Sequence, residues 1–371
     1  MAEVLHADSK LLTPLDAGAI HLRNRIVQGP MGRLRADNNG VPGELMREFY
    51  QQRAAMGLLI TDGTHPTAAG KVQYTQPGLA TDAQAQGWKE VVAAVHSAGG
   101  SIVAQLMHAG WNTHSVITGL PVESPSAIDH EGYTHNAQGE RIAYETPVAL
   151  DEAGIAKVRA GFAAAAQRAR EIANFDGVEL HAANGYLLHQ FLSPNSNQRD
   201  DAWGGSPERR LAFVLSVARE VAATIGAERV GIRISPAIPI QGVVEADPAD
   251  VLATYTLLMR ELRELGIAYV SMEYVPQTAQ LAAILRAEFG GVFLLNDASK
   301  MPTKDFNRLD SARAIVEGDR ADAVVIGRAA LANPDLVARW RQGVELQEPD
   351  FDTFYVGGAK GYTDYPFAAE S

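Results

Sequence analysis

The chain has 371 residues, of which 46% are hydrophobic and 20% charged, a globular composition with enough length for one large core. Its formal net charge is −12, so its surface repels phosphate backbones and anionic lipid, and nucleic acid and membrane are poor candidates for partners. With no cysteine, disulfides, thiolate nucleophiles, and Cys-ligated zinc or iron–sulfur centres are excluded.

No targeting segment is recognisable at the start of the sequence. Residues 1–10 carry Glu3, Asp8 and Lys10 and lack the apolar stretch of a signal peptide. No later run approaches the ~18 apolar residues that a membrane-spanning helix needs. We therefore expect a cytoplasmic chain, and the lack of cysteine agrees with that expectation.

The first predicted element is a small hairpin, in which residues 11–14 and 19–22 flank a turn at 15–18 that contains glycine. Short apolar segments then alternate with helical patterns along the rest of the chain. The predicted strands are 25–29, 57–62, 101–106, 177–181, 229–234, 267–272, 292–296 and 323–327. Segments this short and this rich in Val, Ile and Leu are typical of parallel strands that are buried on both faces.

Helical periodicity fills the intervals between these strands. In 88–95 apolar residues recur at i, i+3, i+4 and i+7, and nearly the same spacing returns in 211–218 and 255–262. Repeated β/α units allow an open doubly wound sheet or a closed (β/α)8 TIM barrel. The lack of a composition break favours the barrel, as a single domain over 1–371. Its catalytic residues are expected at the carboxyl ends of several strands.

One long segment interrupts the alternation after the third predicted strand. Residues 107–150 are rich in Gly, Pro, Asn and His, and a loop of this length inside a compact domain is usually functional. Because the insertion follows the carboxyl end of a strand, it is a candidate lid over the site.

Familiar nucleotide and metal motifs are not matched. No G-x-G-x-x-G follows a predicted strand, and 63–71 resembles a P-loop only superficially, since Val72 stands where Ser or Thr would bind magnesium. His130 and His135 lie five residues apart, whereas a helical zinc pair needs i, i+4. We expect no resident metal, and a metal-dependent hydrolase is a distant alternative.

Polar residues at the carboxyl ends of the predicted strands form a consistent set. The set comprises Gln105, His181, Asn184, Tyr186, Arg233, Asn296, Asp297, Gly327 and Arg328. Amides, an imidazole, a phenol and two guanidiniums suit a large, planar, phosphorylated heterocycle better than a metal ion. Flavin mononucleotide (FMN) fits this description.

Several long stretches also carry a family resemblance. They are 24–35, 105–108, 181–199, 203–206, 231–233, 326–328, 333–336 and 361–366. In this order they resemble the old yellow enzyme family of FMN-dependent ene-reductases, from about residue 11 to 366. The resemblance implies that NADH or NADPH reduces bound FMN and that hydride then passes to the C=C bond of an activated alkene, an α,β-unsaturated carbonyl or nitro compound. Reduction of nitro compounds or nitrate esters, or flavin binding with little turnover, are alternatives.

The resemblance implies roles for individual residues. His181 and Asn184 would hold the acceptor oxygen, where negative charge develops as hydride arrives, and Tyr186 would protonate the adjacent carbon as a general acid. Gln105 and Arg233 would lie along the pyrimidine edge of the flavin. The other expected flavin contacts are Pro30, Met31, Gly32, Gly63, His181, Asn296, Asp297, Gly327 and Arg328, with the last two at the phosphate, while Met107 and Tyr355 join the substrate pocket. The expected partners are small molecules, for a monomer or a homodimer.

Gly32 departs from the family pattern on the flavin side. Many relatives carry a Thr there, or in one branch a Cys, whose side chain hydrogen-bonds the flavin C4 oxygen. Glycine has no side chain to donate such a bond, and a hydrogen bond at that oxygen favours the electron-rich ring. We therefore expect a flavin that is harder to reduce than in Thr-bearing relatives.

Three further departures bear on the substrate and the phosphate. Met107 stands where relatives often have Trp, which should widen the floor of the pocket, and Trp111 replaces a frequent Arg and would refill that space from the lid. Asp297 replaces a Gly that usually contacts phosphate. Because a carboxylate would repel phosphate, we expect its side chain to point away, with Lys300 or Lys304 offsetting its charge.

Overall fold

The structure is a computed structural model and describes residues 4–300, 303, 305, 306 and 308–368. Its strands, in chain order, are β1 (Leu15–Ala17), β2 (Ile20–Leu22), β3 (Ile26–Gln28), β4 (Leu58–Ile60), β5 (Ile102–Leu106), β6 (Glu123–Ser124), β7 (Tyr133–His135), β8 (Arg141–Ala143), β9 (Val148–Ala149), β10 (Gly177–Ala182), β11 (Val230–Ile234), β12 (Tyr269–Tyr274), β13 (Val292–Asp297) and β14 (Ala323–Ile326).

Eight parallel strands close into a barrel in the order β3, β4, β5, β10, β11, β12, β13, β14, with β14 pairing back to β3. Neighbours in the barrel are therefore also successive barrel strands along the chain. Each of them overlaps one of the predicted strands, so the predicted (β/α)8 TIM barrel is confirmed.

Helices lie between the strands. They are α1 (Glu44–Gln52), α2 (Asp82–Ser97), α3 (Ser115–Thr118), α4 (Glu152–Glu171), α5 (Leu187–Leu192), α6 (Pro207–Ile225), α7 (Pro248–Leu265), α8 (Ala279–Phe289), α9 (Leu309–Val316), α10 (Arg328–Ala332) and α11 (Leu336–Gln342). Local chemistry sets their ends: Thr81 and Gln84 form a capping box at the start of α2, and Gly266, in the left-handed conformation, ends α7.

The N-terminal hairpin exists, but its first strand was placed wrongly by the sequence. Residues 15–17, assigned above to the turn, form β1, and Leu15 pairs with Leu22. Lys10–Leu12 instead form a short 3-10 helix that starts at Ser9, whose side chain accepts from the Leu11 N–H. The turn consists of only Gly18 and the residue after it. Glycine is suited to this position because its φ is 58°, in the left-handed region, and because the Glu228 carbonyl lies against it.

This hairpin seals one end of the barrel. Ala17, Ile20 and Leu22 share an apolar cluster with inward-facing strand residues, among them Val103 and Leu294. Strand side chains alternate between faces, so the residues two positions further on also face inward. After Val103 and Leu294 these are Gln105 and Asn296. The interior is thus apolar at the amino ends of the strands and polar at their carboxyl ends.

The segment 107–150 has short elements of its own. It holds α3, a parallel pair formed by β6 and β9, and an antiparallel hairpin formed by β7 and β8. Its chain leaves the barrel at the carboxyl end of β5 and returns into α4. Its function as a lid stays a prediction. Within the described ranges, no helix has both the length and the apolar character needed to cross a membrane.

Candidate active site

The register of the barrel strands brings the predicted polar residues together. His181 lies opposite Arg233, Arg233 lies opposite Ser271, and Glu273 lies opposite Asn296. Except for Ser271, which is the third of six residues in β12, these residues are on the carboxyl halves of their strands, which meet at one end of a parallel barrel. Residues distant in the sequence therefore become neighbours at the polar end of the barrel.

Arg233 is the centre of a buried polar network. Its side chain is 3% exposed, and its guanidinium donates to Asn296 Oδ1 at 2.8 Å, to Ser271 Oγ at 3.3 Å and to Glu273 Oε1. Asn296 in turn donates to the Val325 carbonyl at 3.0 Å. These contacts hold the cation rigidly at the mouth of the barrel.

Gln105 is held by a buried carboxylate that the sequence did not single out. Its Nε2 donates to Glu179 Oε1 at 2.8 Å, and the Tyr269 hydroxyl donates to Glu179 Oε2 at 3.1 Å. Burial raises the pKa of Glu179, and the nearby Arg233 cation opposes that shift. Because one amide hydrogen of Gln105 is committed to Glu179, its orientation at the mouth is fixed.

His181 lies at the end of β10 with an unused polar atom. It is 5% exposed, and its Nδ1 has no hydrogen-bond partner among the residues that the structure describes. Burial, followed by the charges of Arg233 and His189, holds its pKa well below the ordinary value, so the imidazole is neutral near pH 7. A buried nitrogen without a partner is expected where a ligand supplies the missing bond.

The turn after β10 places Asn184 beside this histidine. Asn184 has a φ of 54° and Gly185 a φ of 76°, both left-handed, which turns the chain sharply out of the strand. The Asn184 N–H donates to Ser235 Oγ at 2.8 Å, and the Gly185 N–H donates to His189 Nδ1 at 3.0 Å. The Asn184 side chain donates to Glu273 Oε2 at 2.7 Å, so the backbone and the amide are both fixed.

Tyr186 completes the predicted trio and precedes α5. Its ring centroid lies 5.1 Å from that of His181. Burial is the main cause that raises the pKa of Tyr186 above its ordinary value of 10.0, a hydrogen bond with the Gln241 side chain opposes the shift, and the nearby Tyr355 adds to it. The phenol therefore keeps its proton at neutral pH.

Two glycines at the mouth allow methionine side chains to pack directly against the backbone. A Cβ on Gly327 would lie 2.9 Å from Met31 Sδ, and a Cβ on Gly63 would lie 2.5 Å from Met107 Sδ. Met107 is 8% exposed. Both glycines follow barrel strands, so they bring backbone close to the same opening where the polar residues converge.

The loop after β3 forms another part of the rim. Pro30 and Met31 are partly buried, whereas Gly32 is exposed, and a Cβ on Gly32 would meet no atom within 4 Å. The site therefore has open space at the one loop position where the family pattern expects a hydroxyl.

Arg328 follows β14 and is bound to the preceding loop. Its Nη1 donates to the carbonyls of Lys300, Thr303 and Asp305 at 2.9, 2.6 and 3.0 Å, and its guanidinium lies 5.2 Å from the Phe351 ring centroid. The residue thus lies over the loop between β13 and β14, a common phosphate region of this fold. Its contact with phosphate stays a prediction.

One oxygen of Asp297 is turned onto its own chain. Oδ1 accepts from the Ser299 N–H at 2.9 Å. Lys300 forms an ion pair with Asp305 at 2.9 Å. That pair is the main cause that raises the pKa of Lys300, and Asp297 adds to it, so this cation partly offsets the Asp297 charge. Lys304, the other expected partner, lies outside the described residues.

The insertion and the C-terminal segment border the same opening. Trp111 is 1% exposed, donates from Nε1 to the Gln241 carbonyl at 3.1 Å, and stacks on the His130 ring at 4.6 Å. His130 stacks in turn on Tyr144, also at 4.6 Å. Tyr355 is 69% exposed, as expected of a rim residue. That these residues select a substrate stays a prediction.

Sequence reasoning missed Glu179, Glu273 and Gln241. The two acids carried a usable signal, because an acidic residue in an otherwise apolar buried strand must be paired. Gln241 lies in a loop whose approach to Tyr186 depends on the folded path, and no local signal marks it. Across the described residues, no group of three or more His, Asp or Glu side chains is placed to hold a metal ion.

The donor set fits a flavin. A cation and an amide complement the carbonyl oxygens and ring nitrogens along one edge of a planar heterocycle, and Arg233 and Gln105 would supply them. The thioethers of Met107 and Met31 pack against the backbone at Gly63 and Gly327, and the buried Nδ1 of His181, which has no partner among the described residues, is available to a ligand. The class of protein defined by this fold and site is a flavin-dependent oxidoreductase barrel.

Comparison with known proteins gives the same class. Residues 10–347 match the model of the NADH:flavin oxidoreductase / NADH oxidase family. A probable flavin mononucleotide-dependent alkene reductase of Leishmania infantum is 38% identical, over 96% of this chain and 97% of that protein. The old yellow enzyme homologue from Zymomonas mobilis has a TM-score of 0.89 at 34% identity, over 96% and 99%. Morphinone reductase in complex with tetrahydroNAD has a TM-score of 0.89 at 38% identity, over 97% and 98%.

The chain therefore belongs to the NADH:flavin oxidoreductase / NADH oxidase family, which includes the old yellow enzymes. It is an FMN-dependent oxidoreductase whose electron donor is NAD(P)H. The family and the cofactor implied by the sequence are thus confirmed.

Proposed function

We propose that this protein reduces the C=C bond of activated alkenes, α,β-unsaturated carbonyl or nitro compounds, at the expense of NADH or NADPH, with the whole chain acting as one FMN-binding domain. FMN, when bound, accepts hydride from the nicotinamide and passes it to the alkene. The observation that carries this proposal is the unpartnered, buried Nδ1 of His181 beside the fixed amide of Asn184 and the protonated phenol of Tyr186.

His181 and Asn184 bind the electron-withdrawing oxygen of the acceptor. Because burial holds the pKa of His181 low, its ring is neutral, so it donates one N–H and adds no charge to the site. The amide of Asn184 supplies a second donor. Two fixed donors stabilise the negative charge that builds on the acceptor oxygen, and removal of such a donor typically costs about 10²–10³ in rate.

Tyr186 gives the proton. A phenol with a pKa raised above 10.0 is almost fully protonated at pH 7, so the group is in the required state before the reaction starts. Its hydrogen bond with Gln241 orients the hydroxyl. Proton transfer to the carbon next to the activating group completes the reduction, and a positioned acid of this kind contributes about 10²–10⁴ in rate.

The remaining predicted residues hold the cofactor and shape the pocket. Gln105, Arg233 and His181 border the ring system, Pro30, Met31, Gly32 and Gly63 line its surroundings, and Asn296, Asp297, Gly327 and Arg328 lie towards the ribityl phosphate. Met107 and Tyr355 border the substrate, under a lid formed by 107–150. The apolar, buried thioether of Met107 and the exposed ring of Tyr355 suit an apolar acceptor that enters from solvent.

The proposal is tested by anaerobic titration of the purified protein. NADH or NADPH is expected to bleach the flavin absorbance, and 2-cyclohexenone is expected to restore it with formation of cyclohexanone. Comparison of the two nicotinamides identifies the donor. A protein that binds no added FMN, or whose reduced flavin is not reoxidised by any activated alkene, contradicts the proposal.

Nitro compounds or nitrate esters are a second class of acceptor. The observation in their favour is that His181 and Asn184 are donors without a preference between carbonyl and nitro oxygens. Two-electron reduction of these acceptors takes place at nitrogen and forms no bond between carbon and hydrogen, so it should survive the loss of the Tyr186 hydroxyl. Product analysis with the Tyr186→Phe variant therefore separates reduction at a nitro group from reduction of a C=C bond.

A further inference from the structure

A buried carboxylate joins two halves of the site. Glu273, on β12, is 6% exposed and faces the barrel interior two residues after Ser271. One of its oxygens, Oε1, accepts from the Arg233 guanidinium, and the other, Oε2, accepts from Asn184 Nδ2 at 2.7 Å. Arg233 belongs to the flavin side of the site and Asn184 to the acceptor side, so Glu273 contacts both sides at once.

Only a carboxylate can make both contacts. Its two oxygens accept one donor each, whereas the side chain of glutamine has one oxygen and one NH2 group. With glutamine at this position, its oxygen could accept from Arg233 only while its NH2 group faces Asn184, so the Asn184 amide would have to flip or lose this bond. The geometry therefore depends on both carboxylate oxygens of Glu273, one of which is in an ion pair with Arg233.

The contact decides which end of the Asn184 amide is the donor. If the amide were flipped, its oxygen would face the Glu273 carboxylate, which is repulsive. With Nδ2 donating to Glu273, the second hydrogen of the same nitrogen stays available for an acceptor oxygen. The left-handed backbone of Asn184 and its bond to Ser235 hold the residue in place, so the amide has little other freedom.

The same contact offsets the charge of Arg233. A cation near the flavin pyrimidine stabilises the electron-rich reduced ring. A carboxylate in direct contact with that cation reduces its field in the low-dielectric interior, where charge interactions are strong. The flavin of this protein is therefore expected to be harder to reduce than Arg233 alone would make it.

We propose that Glu273 is a positioning residue that orients the Asn184 amide towards the acceptor oxygen and lowers the flavin midpoint potential by neutralising Arg233. This inference rests on the proposed function, since it places the flavin against Arg233 and the acceptor against Asn184. Glu273 acts through these two residues rather than on the reacting atoms.

Three variants test the assignment in the FMN-bound protein. Glu273→Gln removes the charge at nearly constant volume, and Glu273→Asp keeps the charge but shortens the side chain. Glu220→Gln is the control, because it makes the same change in net charge at a distant ion pair between α6 and Arg159 on α4. The midpoint potential, the KM for 2-cyclohexenone and the thermal unfolding midpoint are measured for each.

For Glu273→Gln we expect an upward shift of the potential equivalent to about tenfold in the equilibrium constant of flavin reduction, or about 30 mV for a two-electron couple. The KM for 2-cyclohexenone should rise about fivefold, since one misplaced hydrogen bond is worth about 1 kcal/mol. Glu273→Asp should raise KM while its potential stays near wild type, and Glu220→Gln should change neither.

Contrary results are distinguishable. A wild-type protein without FMN overturns the proposed function and this inference together. An FMN-bound wild type whose Glu273→Gln variant has unchanged potential and KM overturns the Glu273 assignment alone. If the Gln variant fails to hold FMN, the Asp variant decides: a raised KM at unchanged potential supports the assignment, and an unchanged KM refutes it.

Discussion

The loop after β3 offers a direct test of how this chain sets its flavin potential. Gly32 is exposed, its φ lies outside the left-handed range, and an added Cβ meets no atom within 4 Å. A threonine therefore fits without displacing a neighbour. The next residue, Arg33, donates to the carbonyls of Phe354 at 3.1 Å and Gly361 at 2.7 Å, so the loop is anchored against movement. Gly32→Thr should add one hydroxyl and change little else.

The expected size of the effect follows from hydrogen-bond energetics. A hydrogen bond contributes a net ~0.5–1.5 kcal/mol, and roughly twice that when one partner carries charge. The difference between the reduced and oxidised flavin is then about 1 kcal/mol. Since about 1.4 kcal/mol corresponds to 30 mV for a two-electron couple, the potential should rise by about 20 mV.

The assay is a spectroscopic redox titration of the wild type, Gly32→Thr and Gly32→Val. Valine has the shape of threonine without the hydroxyl, so it reports any effect of bulk or altered solvent access. We expect the Thr variant to lie above both the Val variant and the wild type. A Thr variant at or below the potential of the Val variant would refute the assignment of Gly32 to the flavin C4 oxygen.

Three further variants probe other parts of the molecule. Tyr186→Phe should slow reoxidation by 2-cyclohexenone by about 10²–10⁴ while NAD(P)H still reduces the flavin, as stopped-flow absorbance would show. Burial lowers the pKa of His65 from 6.5 to about 4, so between these values the unfolded chain binds more protons than the folded chain, and the free energy of unfolding falls as the pH falls. His65→Gln should remove about 3 kcal/mol of this decrease between pH 7 and pH 4. Urea unfolding of both proteins at the two pH values measures the difference. Trp111→Phe keeps the ring stack on His130 but loses the hydrogen bond to the Gln241 carbonyl, so the KM for enones should rise about two- to tenfold. An unchanged KM would argue against the idea that Trp111 holds Gln241 in position to orient Tyr186.

The barrel was predictable because each of its strands is a short apolar run that needs no partner to be recognised. The spacing of helical apolar residues then fixed the alternation, as in α2, whose Trp88, Val91, Val92 and Val95 are all fully buried. Once the fold is a parallel barrel, strand ends converge, and the polar residues after those ends must meet. Gln105, His181 and Arg233 were found in this way.

What the sequence did not predict depends on pairing between distant parts of the chain. The turn of the hairpin was misplaced by a few residues because Leu15, Asp16 and Ala17 have no strong strand pattern of their own; they become a strand by pairing with β2 and by packing Ala17 into the barrel. Glu179 and Glu273 were not predicted as site residues because the apolar residues around them dominate the pattern of their strands. Their role becomes clear only from the folded structure, in which they accept hydrogen bonds from Gln105 and Arg233.

The flavin side and the substrate side of the proposed pocket are also connected through the arginines that follow the β3 loop. Arg35 donates to the carbonyls of Phe354 and Thr353, both at 2.9 Å, and Arg33 shares the Phe354 carbonyl. Between them Leu34 has a φ of 53°, a conformation that costs about 1 kcal/mol and that these buried bonds offset. The segment they hold carries Tyr355. The loop proposed to border the flavin and the proposed aromatic rim of the substrate pocket are therefore fixed to each other, so a displacement of one should displace the other without any contact through a ligand.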